Sequence, residues 1–115
     1  PWLANPPQER FFPLPMTIWQ TGDAIWLAVA CEPYQIPQRS LRDRFPGTPI
    51  VVMTLVNDSR ASYLPPRESY GQGIYQESVA VLAPGCLEAL IEAAAEQIAN
   101  WLEEGLPPIS SRRPF

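Results

Sequence analysis

Histidine is absent from all 115 residues, and the eight basic residues are all arginine. Without an imidazole, the chain by itself holds no Ser-His-Asp triad, no Cys-His pair and no histidine-based zinc site. Any hydrolytic chemistry must borrow groups from elsewhere. Only two cysteines occur, Cys31 and Cys86. They are too few for a disulfide framework or an all-cysteine zinc centre, and read as buried, unpaired thiols that pack like small hydrophobes. The net charge is −4 and no basic run carries interleaved aromatics, which argues against a nucleic-acid partner. No apolar stretch approaches the roughly 20 residues that cross a bilayer, so no transmembrane segment is expected. The first residues, Pro1-Trp2, carry neither methionine nor a signal-like segment. An excised or processed piece of a longer protein is therefore expected, with its compartment illegible at this end.

What is present is proline and a normal apolar fraction. Fifteen prolines are far above average usage, while the hydrophobic content of 46% suits one globular domain with a real core. Residues 1–14 read as an extended proline-rich arm, 15–104 as a single α/β domain, and 105–115 as an irregular tail. From Met16 the pattern is strand-like, with Thr21-Gly22-Asp23 as a hairpin turn between two apolar, aromatic-rich runs. The second run, Ala24–Ala30, is continuously apolar and predicts a central strand covered on both faces. Pro37 suits the first turn of a short amphipathic helix bearing Ile36, Ser40, Leu41 and Phe45 on one side. A further buried strand is expected over Pro49–Val56. A long polar loop follows, from Asn57 to about Glu77, with one helical turn near Arg67–Tyr70.

The closing segment carries the strongest periodicity. Leu87, Leu90, Ile91, Ala94, Ala95, Ile98, Trp101 and Leu102 form the stripe of an amphipathic helix that starts after Pro84 and ends at Gly105. Glu88, Glu92 and Glu96 recur on the other side. They read as a solvated face more readily than as an acidic binding surface. These elements give a small mixed sheet, hairpin plus strand–helix–strand, covered by a long C-terminal helix. One long and one short helix cover little more than one face, so the chain is expected to complete a larger layered fold and to favour association.

Two loops at strand ends hold the candidate chemistry. Glu32 follows the apolar strand, and Tyr63 lies beyond the next one. If these strands are parallel neighbours, both residues emerge at the C-terminal edge of the sheet, where sites in such sheets are built. Carboxylate oxygen is an ordinary zinc ligand and phenol a rarer one. A capping glutamate and a half-buried tyrosine account for the same residues without a ligand.

The run Trp19–Pro33 resembles the segment of neutral/alkaline ceramidases in which a Gly-Asp strand runs into a Pro-Gly-Glu turn. Val51–Tyr70, then Gly73-Ile74-Tyr75-Gln76-Glu77 and Leu82-Ala83-Pro84-Gly85, resemble later motifs of that family in the same order. The likeness covers about residues 15–104, roughly three quarters of the chain, and is closest to the bacterial ceramidase-like proteins. It implies a zinc ion held by two histidines from an earlier part of the protein together with Glu32 and Tyr63. It also implies that Tyr75, twelve positions after Tyr63, lies near the substrate carbonyl, where a tyrosine hydroxyl can bond a developing oxyanion. A lipid amide substrate and a secreted or periplasmic setting are implied in the same way. Packing within an aromatic loop is the other reading of Tyr75.

The chain departs from the family pattern at two places. The family's Pro-Gly before the glutamate is Ala30-Cys31, which removes backbone freedom where a sharp turn is expected and sets a thiol beside Glu32. The family's Asn-Gly-Tyr is replaced around Asp58-Ser59-Arg60. The expectation is thus the C-terminal portion of a zinc-dependent amidase, inactive alone, whose site is completed by the N-terminal part of the same protein or by another copy. The alternative is a non-catalytic α/β module that keeps the fold and binds a ligand or partner, and an unrelated small α/β domain is a third reading.

Overall fold

The computed structural model describes residues 13–104. Nearly all of the proline-rich arm and the whole of the 105–115 tail lie outside the described residues. Three strands and three helices follow in order: β1 Met16–Thr21, β2 Ala24–Val29, α1 Ile36–Arg44, β3 Ile50–Met53, α2 Tyr75–Val79 and α3 Cys86–Glu104. A single 3₁₀ turn at Arg67–Ser69 stands where the helical turn near Arg67 was expected.

β1 and β2 form the antiparallel hairpin, joined through Gly22-Asp23. Gly22 takes φ +57°, at the first central position of the two-residue turn, which type II′ geometry reserves for glycine. β3 then pairs parallel to β2, in register Ile25 with Ile50 through Ala28 with Met53. The order β1-β2-β3 makes β2 central, which its apolar composition required. The mixed sheet under a long C-terminal helix is the architecture expected from the sequence.

The register sorts the side chains into two faces. Ile25, Leu27, Val29 and Ile50 join Leu41 of α1 and Leu87, Leu90, Ile91, Ala94, Ala95 and Ile98 of α3 in one core cluster. Ile36 and Phe45 pack against its edge. The other face carries Trp19, Trp26, Val51 and Met53, all half-buried and outside that cluster. Trp19 and Trp26 are cross-strand partners whose rings stack at 6.1 Å and 5°.

The free edge of β3 is covered by side chains of α1. Ile25 N–H donates to the Pro49 carbonyl, so alternation turns the Ile50 carbonyl and Val52 N–H outward. Arg42 Nε donates to the first at 2.8 Å, and Gln38 Oε1 accepts from the second at 3.0 Å. Unpaired edge groups invite pairing with another chain, and here a helix answers two of them. Arg44 pairs with Glu92, tying α1 to α3.

Two expectations change. The 57–77 segment is not simply a polar loop, because Ala61, Leu64 and Pro65 are buried and α2 lies at its end. The Glu88–Glu96 row is not one solvated face either. Glu88 Oε1 accepts from Arg67 N–H at 2.7 Å and its Oε2 is buried. Glu92 and Glu96 are both exposed, as the solvated face requires, with Glu92 pairing to Arg44 at the surface, so the departure is at Glu88.

Candidate functional site

Past the end of β2 at Val29 the chain bends through Ala30 and Cys31 but keeps backbone bonds to the segment after β3. The Val29 and Cys31 carbonyls accept from Val56 and Leu55 N–H, both at 3.1 Å. Glu32 then donates to the Ser62 carbonyl at 2.8 Å and accepts from Leu64 N–H at 3.0 Å. These two bonds make an isolated parallel bridge between Glu32 and Tyr63. Residues paired across a bridge send their side chains to the same side. Glu32 and Tyr63 therefore point the same way from adjacent strand-like segments, at the C-terminal edge of β2 and β3.

Tyrosines converge on this bridge. The Tyr63 ring lies 6.1 Å from Tyr34 at 46°, and 6.3 Å from Tyr75 in an edge-to-face contact at 76°. Such tilted and edge-on arrangements suit the ring quadrupole. Tyr75 opens α2 and is 67% exposed. Tyr70, the fourth tyrosine of the chain, donates to the Leu82 carbonyl at 3.2 Å.

Tyr34 was not among the residues singled out by sequence. It takes a left-handed backbone, φ +61°, where a tyrosine Cβ is crowded. Its hydroxyl is buried with no hydrogen-bond partner among the described residues. Burial, reinforced by the neighbouring Tyr63 and Glu32, raises its pKa. The left-handed turn after the glutamate thus falls on Tyr34. Cys31 does not adopt positive φ, so a residue with a Cβ stands there without backbone strain.

Cys31 is fully buried. Burial, with Glu32 beside it, pushes its thiol up to about 12. At the loop's far side the Arg60 guanidinium, together with backbone N–H bonds, holds Asp58 down at about 2. Asp58 Oδ1 accepts from Ser59 and Arg60 N–H, closing a tight local turn. Ser62, just before Tyr63, is also left-handed at φ +54°.

Among the described residues no group of three or more His, Cys, Asp or Glu side chains could hold a metal ion. The bridge sets the side chains of Glu32 and Tyr63 on one side, with the rings of Tyr34 and Tyr75 against that of Tyr63. Among the described residues, no helix is long and apolar enough to cross a membrane. The site sits on a small α+β sheet module at a strand-end cluster of one carboxylate and three phenols. No protein-family model, curated protein or solved structure matches this chain.

Proposed function

We propose that this chain is the C-terminal portion of a zinc-dependent amide hydrolase of the neutral ceramidase type. In this reading Glu32 and Tyr63 supply two oxygen donors, and histidines from the preceding part of the protein supply the rest. The observation that carries it is the backbone bridge between Glu32 and Tyr63, which sends a carboxylate and a phenol to one side. That donor pair would supply two of four protein ligands, leaving the activated water as a fifth, a coordination number to which catalytic zinc can expand. A bound zinc supplies Lewis acidity and an activated water. The chain's own residues do the rest: Tyr63 is steadied between Tyr34 and Tyr75, and the exposed Tyr75 hydroxyl donates to the amide oxygen as charge develops there.

The test uses the polypeptide that joins this chain to its histidine-bearing part. Metal analysis should find one zinc per chain. Glu32→Gln and Tyr63→Phe should each weaken zinc binding by more than the roughly 10–100-fold typical of an outer-shell change. The 115-residue chain alone should gain no thermal stability from zinc. Tight stoichiometric binding by that chain alone, or unchanged zinc content in both variants, overturns the assignment.

A second reading is a non-catalytic module that docks on a partner. The half-exposed apolar face of Trp19, Trp26, Val51 and Met53 favours it. It requires the joined polypeptide to fold without zinc and to hydrolyse no lipid amide.

A further inference from the structure

The segment that leads into Tyr75 is irregular and glycine-rich, yet it is clamped from one side chain. Glu77, one turn into α2, turns its carboxylate back over the residues that precede the helix. Oε1 accepts from Gly71 N–H at 2.8 Å and Oε2 from Gly73 N–H at 3.3 Å. Both glycines are left-handed, φ +86° and +72°, a conformation that glycine adopts without strain. A Cβ at either would meet nothing within 4 Å, so it is the backbone turn, rather than space, that asks for glycine. The charged acceptor makes these bonds stronger than neutral ones. Within α2, Ser78 Oγ donates to the Tyr75 carbonyl at 2.6 Å.

Consequences for Tyr75 follow from the helix's length. A five-residue helix has no independent stability, so its position depends on what fastens it. Tyr75 is its first residue and is mostly exposed, touching Tyr63 edge-on. Tyr70 ties the two sides of this segment through its bond to the Leu82 carbonyl, and the chain directly ahead of Tyr75 needs an anchor of its own. Glu77 is that anchor, because its two bonds fix the chain on the approach to Tyr75.

We propose that Glu77 is the positioning residue for Tyr75, holding its ring against Tyr63 through a carboxylate clamp on the Gly71 and Gly73 amides. The catalytic meaning of Tyr75 rests on the amidase reading above, whereas the clamp itself does not. Two measurements separate them. In the 115-residue chain, NMR hydrogen exchange of Glu77→Ala should speed Gly71 and Gly73 at least about tenfold, leaving Leu64 unchanged, and the Tyr63–Tyr75 ring contacts should disappear. Glu77→Gln, which keeps one acceptor oxygen, should restore part of the protection. Unchanged exchange at both glycines, or intact ring contacts in Glu77→Ala, overturns the proposal.

In the joined polypeptide, Glu77→Ala should lower kcat by about tenfold to a hundredfold with KM little changed, the upper end being the scale of an ångström's misplacement of a catalytic group. It should have little further effect once Tyr75 is phenylalanine, since residues acting through one another are non-additive. A full additional loss in that background overturns positioning. If the wild-type polypeptide hydrolyses no lipid amide while the exchange effects hold, the amidase reading fails and the clamp stands.

Discussion

Tyr34 combines two unfavourable features in one residue. A left-handed backbone costs a non-glycine residue roughly 1–2 kcal/mol, and a buried hydroxyl without a partner costs about 1–3 kcal/mol. Its ring contact with Tyr63 offsets part of this. Tyr34→Phe removes the hydroxyl and keeps the ring, so denaturant unfolding should show stability unchanged or raised by up to about 1–3 kcal/mol. A loss of about 1 kcal/mol would mean that the hydroxyl is bonded after all. No local pattern announces a tyrosine at positive φ, and for that reason Tyr34 was invisible in the sequence. Glu32, Tyr63 and Tyr75 were singled out by strand-end position and motif order, and the structure sets Glu32 across a bridge from Tyr63 and the Tyr75 ring against that of Tyr63. Their convergence was legible only through the strand topology.

Among the elements, α3 and the β1–β2 hairpin were the most readable. α3 repeats its apolar stripe over 19 residues, and the hairpin announces itself through Gly22. α2 escaped notice because five residues span too little of a 3.6-residue period to show one. The start of α3 depends on Gly85, which holds φ +97° immediately before the helix. An alanine Cβ there would also fall on the Arg67 guanidinium. That guanidinium is the far end of a flexible, exposed side chain and can move aside, so the backbone term should dominate. Gly85→Ala should cost roughly 1–2 kcal/mol, read as a shifted denaturant midpoint at constant slope. Adding Arg67→Ala should recover little of it. Full recovery would assign the cost to the clash instead.

At the scale of the whole molecule, the missing histidine shapes the response to pH. No side chain with an ordinary pKa changes charge between about pH 5 and 8 in its absence. Cys31, pushed up to about 12 by burial and then by Glu32, holds its proton where an unfolded cysteine, near 8.5, has lost it. Burial raises Tyr34 and Tyr70 as well. The native state therefore binds more protons than the unfolded chain above about pH 9, and stability must fall as pH rises from there towards 12. Below about pH 8 this contribution is fully present. Unfolding midpoints should be level between pH 6 and 8 and decline above 9. A midpoint that climbs above pH 9 would contradict the burial of Cys31.

The overall layering was written in the apolar runs. The fastening of β3's free edge by Gln38 and Arg42 was not, since polar residues on a surface helix carry no sign of what they reach. The bridge at Glu32 and Tyr63 has a consequence of its own. It is made by main-chain bonds that are indifferent to residue type, so geometry and chemistry are separately inherited at these two positions. Either side chain can be exchanged by a single codon change while its Cα stays where it is. Such a frame lends itself to the grafting of a new ligand set onto an unaltered scaffold.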